Sequence, residues 1–282
     1  MKTSAIWKGI KSIVKIKASS RKDITLIDNG NDVTDPFKIA NIFNKFFVSI
    51  GPNIDKTIPN SKHDFTKYLR NINVNKTFFL VPTTSQEIFD IINSINKNKA
   101  TGPNSIPVYI LKVYNPFFSD QLSQIINLSF ATGIFPDLCK LAKVLPIFKS
   151  EDELLCENYR PISLLPIFSK IFEKVIYTRM YKFLSENNLI YSRQFGFRSN
   201  HSTNHALISL TESIKSYLDT GHWVAGIFLD LRKAFDTVNH ELLLHKLRCY
   251  GFRGNSYMLL QSFLLNRKQC VSINGFSLTL TV

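Results

Sequence analysis

The chain has 282 residues, of which 44% are hydrophobic, 12% aromatic and 20% charged, enough apolar material to bury a sizeable core, which excludes disorder as the main state. Lys+Arg number 35 against Asp+Glu 21, a formal net charge of +14 that favours phosphate contacts with nucleic acid, general solubility being the plainer alternative. No uninterrupted apolar run approaches the roughly 18–20 residues that cross a bilayer, so a membrane-spanning role is excluded.

The N-terminal stretch MKTSAIWKGIKSIVKIK places Ile6, Ile10, Ile13 and Val14 on one helical face, with Lys8, Lys11 and Lys15 elsewhere. It lacks the arginine of a mitochondrial presequence, which favours a helix that packs or faces nucleic acid. A short apolar run, Ile24 to Ile27, leads into Asp28-Asn29-Gly30-Asn31, residues that tolerate positive φ and predict a hairpin turn. Asp35 caps the next helix, Pro36 suits its first position, and Phe37, Ala40, Phe43, Phe47 and Ile50 recur at helical spacing until Gly51-Pro52 stops it. A capping box from Thr84 to Glu87 starts another, carrying Ile88, Ile91, Ile92 and Ile95 before a turn at Asn96 to Gly102. Between these helices, Asn53 to Lys76 is the best linker candidate.

Two short strands follow, Ala142 to Phe148 and Tyr159 to Leu165, separated by the acidic tip Glu151-Asp152-Glu153 and so predicted to form a hairpin. One helix then carries Ile167, Ile171, Phe172, Val175 and Ile176, and a second starts at Ser202 and ends before Gly221. Gln194 to Arg198 is too interrupted by glycine to belong to either. Trp223 to Leu229 is almost wholly apolar, the pattern of a strand buried on both faces, and closes on Asp230. Helices over Glu241 to Tyr250 and Asn255 to Asn266 precede a strand, Cys270 to Ile273, which Asn274-Gly275 turns into Leu278 to Val282. Four scattered cysteines, Cys139, Cys156, Cys249 and Cys270, fit neither a zinc site nor a disulfide framework and read as small buried hydrophobes of an intracellular protein, in nucleus or cytoplasm.

Asp230 is the first candidate for chemistry. A carboxylate at the end of a buried strand needs a partner such as a divalent cation, the alternative being a solvated turn residue or a helix cap.

The segment FLDLRKAFDTVNHELLLHKL resembles the first palm motif of reverse transcriptases from non-LTR retrotransposons, the jockey-like elements in particular. KATGPNSIPVYILK, KVLPIFKSEDELLCENYRPISLLPIFSKIFEKVIYTRM and RQFGFRSNHSTNHAL resemble, in order, the blocks that precede it. The resemblance covers the chain from about Ile24 to its last residue. It implies an α+β fold of reverse-transcriptase fingers and incomplete palm, a split β-α-β arrangement, behind a helical N-terminal region. The sections it suggests are 1–100 for that helical extension, 101–222 for the fingers and 223–282 for the palm.

The resemblance also implies roles. Asp230 becomes a ligand of Mg2+, with the Leu231 carbonyl as a main-chain ligand, in a two-metal phosphoryl transfer from a dNTP to a DNA primer on an RNA template. Phe235 matches the aromatic gate that crowds a nucleotide 2′-hydroxyl, and Asp236 is structural. Arg160 resembles the arginine that grips the incoming nucleotide, with Lys149 and Lys143 on the preceding strand as further phosphate-binding cations. Arg198 is similar to a residue near template or nucleotide, or else pairs with an acidic neighbour. The sequence stops before a PQG-type block, before paired aspartates of the YADD or FADD kind and before a thumb, so the expectation is a fragment that does not polymerise alone. A non-catalytic RNA- or DNA-binding module using the basic fingers is the alternative.

Overall fold

The computed structural model describes residues 23–58, 76–100, 102–103, 106–231, 233–274 and 276–281. The expected N-terminal helix and most of the expected linker lie outside the described residues. Helices and strands mix in an α+β fold. In chain order they are β1 (Leu26–Asp28), β2 (Asn31–Val33), α1 (Pro36–Thr57), α2 (Ser85–Ser94), α3 (Val108–Val113), α4 (Asn115–Thr132), β3 (Leu141–Phe148), β4 (Tyr159–Leu164), α5 (Ile167–Glu186), α6 (Thr203–Asp219), α7 (His240–Cys249), α8 (Asn255–Leu264), β5 (Lys268–Ile273) and β6 (Phe276–Thr281).

Two compact units form. Of the described residues, the first takes those up to Val48, within Lys143–Ser163 and within Gln269–Thr281, and the second those within Ser49–Ala142 and Leu164–Lys268. Each unit therefore draws on all three sections read along the chain, because strands far apart in sequence pair in space.

In the first unit β1 and β2 pair antiparallel, Leu26 opposite Val33, around the predicted turn. A four-stranded sheet has the order β4-β3-β5-β6. The hairpin expected between the strands on either side of the acidic tip is its β3-β4 half, and the Lys149 N–H donates to the Asn158 carbonyl at 2.8 Å where its loop closes. Leu26, Ile39, Ala40, Phe43, Val144, Val271 and Ile273 are buried together with Tyr159. Phe43 stacks on Phe47 with ring centroids 5.5 Å apart and meets Tyr159 edge-on at 4.9 Å, an arrangement that aromatic quadrupoles favour.

Local signals start the helices where the sequence places them. The Phe37 N–H donates to Asp35 Oδ1 at 3.1 Å, and the Glu87 N–H to Thr84 Oγ1 at 3.2 Å. Only half of the Thr84 capping box closes, because the Glu87 carboxylate turns instead to Thr83 and Arg179. Helix α1 does not stop at Gly51-Pro52 but runs to Thr57. Pro52 has a φ that suits a helix; it removes its own donor and crowds the carbonyl four residues back, yet the residues beyond it still have donors with which to continue the helix. Gly51 itself is required for packing: a Cβ there would lie 2.6 Å from the Asp236 carbonyl oxygen.

The second unit buries Phe78, Ile88, Ile92, Leu111, Ile126, Phe135, Ile171, Phe172, Phe252 and Leu259, among others, between helices α2 to α5 and α8. Phe78 and Phe252 pack at 4.5 Å between ring centroids, and the Phe78 N–H donates to the Gly251 carbonyl at 2.9 Å. Gly251 holds φ +94° after α7, and any Cβ on it would strike the Lys76 carbonyl. Gly251→Ala is therefore expected to destabilise the protein by about 2–3 kcal/mol, strain and clash acting together, read as a lower urea midpoint with unchanged slope.

One expected element does not form. Trp223 to Leu229 forms no regular secondary structure, and Ile227, Phe228 and Leu229 stand 85%, 86% and 88% exposed. A strand needs a neighbour to take its N–H and C=O groups, and none of the six described strands lies beside it; apolar composition supplies a preference and no partner. Of the cysteines, Cys139 and Cys270 are buried as expected, whereas Cys156 and Cys249 are only partly so. Burial pushes the Cys139 and Cys156 thiols up to about 11, which keeps them protonated at neutral pH. Among the described residues no helix is long and apolar enough to cross a membrane.

Candidate nucleotide and metal site

The basic candidates belong to the β3-β4 hairpin of the first unit. Lys143 lies near the start of β3, close enough to Cys270 to offset part of the rise that burial imposes on its thiol. Lys149 follows directly on β3, and Arg160 is the second residue of β4. Both are exposed. Neither has a side-chain partner among the described residues, so both cations are available to an anion. Alternation along β4 explains part of this: Tyr159 turns into the core and Arg160 turns out.

Asp230, Leu231, Phe235 and Arg198 belong to the second unit. Helix α6, capped by Ser202 through the His205 N–H at 3.3 Å, ends at Asp219, and the chain then runs without regular secondary structure from Trp223 to Leu231. Asp230 is thus on an exposed irregular segment and not at the end of a buried strand. A tight turn follows it, in which the Asp236 N–H donates to the Lys233 carbonyl at 2.9 Å. Asn239 then caps α7 through the Leu242 N–H at 3.0 Å. The Asp236 carbonyl approaches Gly51 closely enough to leave no room for a Cβ there.

A hard divalent cation such as Mg2+ prefers oxygen donors and commonly takes one or two carboxylates, completing its shell with water and substrate phosphates. The Asp230 carboxylate and the Leu231 carbonyl fit that donor chemistry. Among the described residues no group of three or more His, Cys, Asp or Glu gathers to hold a metal.

Arg198 is directed into its own loop. Its Nη1 donates to the carbonyls of Tyr191, Ser192 and Gln194, each at 3.3 Å, while the Gln194 side chain donates to the Gly196 carbonyl at 3.1 Å. Desolvation raises the Tyr181 hydroxyl, but hydrogen bonds to Arg198 and Ser199 outweigh it and leave the group below its ordinary value. Arg198 therefore neither pairs with an acidic neighbour nor stands free. Phe235 is 80% exposed, and the edge-on ring of Phe197 lies 5.8 Å from it, a contact that sequence reading missed because 38 positions separate the two in the chain.

The Glu87–Arg179 pair was also missed, since Tyr-Thr-Arg-Met reads as an ordinary helical surface. Arg179 Nη1 and Nη2 meet the two Glu87 carboxylate oxygens, each at 2.9 Å, while Nε donates to the Val81 carbonyl at 2.6 Å and Nη2 to the Pro82 carbonyl at 3.1 Å. The hydrogen bonds from Arg179 hold the Glu87 carboxyl below its ordinary value, against the opposing effect of burial. Inside the same unit, burial pushes the Glu173 carboxyl up. It lines a cavity of about 340 Å³ with Tyr177, Met180, Leu184, Leu247 and Leu260.

Residues 147–280 match the family described as reverse transcriptase (RNA-dependent DNA polymerase). The chain therefore carries a reverse transcriptase domain. That domain is of the non-LTR retrotransposon kind. It is 32% identical over 199 residues to the probable RNA-directed DNA polymerase from transposon BS, and 30% identical over 198 residues to the RNA-directed DNA polymerase from mobile element jockey, both of Drosophila melanogaster. Each match covers 70% of this chain and 22% of the relative. A transposon TX1 protein of Xenopus laevis is 25% identical over 267 residues, 93% of this chain and 20% of that relative. The chain spans about a fifth of the length of the curated relatives it matches.

Proposed function

We propose that this chain supplies the nucleotide-gripping hairpin and the first metal-binding aspartate of an RNA-directed DNA polymerase that adds dNTPs to a DNA primer on an RNA template. The observation that carries the reading is the match of residues 147–280 to the reverse transcriptase family, which contains both Arg160 and Asp230. Asp230 and the Leu231 carbonyl hold Mg2+. When bound, the ion neutralises triphosphate charge and lowers the cost of forming the primer alkoxide. Arg160, through its planar fork, and Lys149 and Lys143, as point charges, bind the phosphates. Phe235 crowds the sugar where a ribonucleotide carries its 2′-hydroxyl, and Arg198 keeps the adjoining loop in shape. The section 101–222 corresponds to fingers and 223–282 to part of a palm.

The test is binding of an RNA template annealed to a DNA primer across a salt series. Affinity for the duplex is expected to fall steeply with salt, and Lys149→Ala and Arg160→Ala are each expected to weaken the added binding of a matched dNTP while leaving that slope in place. Adding Mg2+ with the dNTP complementary to the next template base is expected to tighten the complex, whereas a mismatched dNTP is not. If the duplex binds but the matched dNTP has no effect, the polymerase reading is overturned and a nucleic-acid-binding module takes its place.

A further inference from the structure

Phe197 is placed oddly for an apolar residue. Its φ is +60°, a left-handed conformation uncommon for a bulky side chain, and its ring is 85% exposed, so no core burial offsets that backbone. The loop that presents it is tied from within by the Arg198 guanidinium on the Tyr191, Ser192 and Gln194 carbonyls and by the Gln194 amide on the Gly196 carbonyl. The presented ring meets Phe235 edge-to-face, with centroids 5.8 Å apart and planes at 87°. Phe235 is itself exposed and sits within the turn that opens on Lys233 at φ +49°, so no core packing fixes its ring.

We propose that Phe197 is the positioning residue for Phe235, holding the ring at the angle from which it discriminates between 2′-deoxynucleotides and ribonucleotides. This rests on the reading of Phe235 as the wall of a nucleotide sugar site. A phenylalanine side chain has three staggered χ1 wells, and an edge-to-face neighbour biases it toward one of them. A gate that samples all three excludes a hydroxyl only part of the time. The selectivity therefore depends on the pair, and the tied loop around Arg198 exists to present one of its members.

The experiment measures equilibrium binding of dATP and ATP, which differ only at the 2′ position, to the full chain with Mg2+, by titration calorimetry. Wild type is expected to prefer dATP and Phe235→Ala to lose that preference. Phe197→Ala should lower the dATP:ATP affinity ratio about three- to tenfold. The double variant should discriminate no worse than Phe235→Ala, and Phe197→Trp should restore most of the ratio. The unfolding midpoint of Phe197→Ala should not fall, because the ring is exposed, so a purely structural role would leave no such signature in the ratio. An unchanged ratio in Phe197→Ala, with Phe235→Ala still losing the preference, overturns the inference and leaves the functional reading standing. Failure of wild type to bind or distinguish the nucleotides overturns both. Proton NMR gives an independent check: a nuclear Overhauser contact between the two rings is expected, and its absence overturns the inference alone.

Discussion

Asp230→Asn is expected to weaken the Mg2+-dependent binding of the matched dNTP on a primed RNA template more than about a hundredfold, since residues that merely support a metal ligand already account for about 10–100-fold in metal affinity. The substitution keeps the shape of the side chain and removes the charge that a hard cation requires. Asp230 is exposed and lies on an unpaired segment, so the change should leave the unfolding midpoint in place. Affinity for the RNA–DNA duplex without divalent cation should also be unchanged, since Asp230 makes no positive contribution to phosphate binding. The measurement is titration of the chain on its primed template with the matched dNTP and Mg2+, beside a thermal unfolding curve of the same preparation. Retention of wild-type Mg2+-dependent dNTP affinity by the variant would remove Asp230 from the metal site.

Arg179→Met is expected to cost about 2–4 kcal/mol of stability. The guanidinium is 12% exposed and its donors reach Glu87, Val81, Pro82 and Val175. Methionine fills much of the volume but leaves these acceptors without donors and the Glu87 carboxylate without its cation. Arg179→Lys should recover little, because an ammonium cannot reproduce the planar fork. The pH dependence follows from the lowered Glu87 value. A carboxyl whose folded pKa is depressed contributes stability that is fully present above its unfolded value, about 4.3, and is lost as pH falls through the folded one. Urea unfolding between pH 3 and pH 7 should thus show an acid-side decline in wild type that is reduced in both Arg179→Met and Glu87→Gln. Equal declines in all three would separate the pair from the stability of the unit.

Local chemistry was legible where it acts over three or four residues. Asp35 and Ser202 cap their helices, the Asn29-Gly30 turn joins β1 to β2, and the β3-β4 hairpin closes around its acidic tip, each as read along the chain. Of the candidate site, the strand positions of Arg160 and Lys149 were legible: Arg160 is exposed on β4 and Lys149 is exposed just after β3. The state of the Asp230 segment was not. Trp223 to Leu229 has the composition of a buried strand, yet burial and pairing are properties of neighbours, and the segment has neither.

By itself the amino-acid sequence determined the family, the helix starts, the turns and the identity of the charged and aromatic candidates, because these depend on residue type and on spacing within a few positions. Only the tertiary structure decided that Arg198 spends its donors on its own loop, that Arg179 locks Glu87 to the Val81-Pro82 turn, and that Phe197 faces Phe235. The physical reason is the same in each case. A hydrogen bond or ring contact between residues distant in the chain exists only once packing has fixed both backbones, and no local pattern encodes which partner that packing will bring.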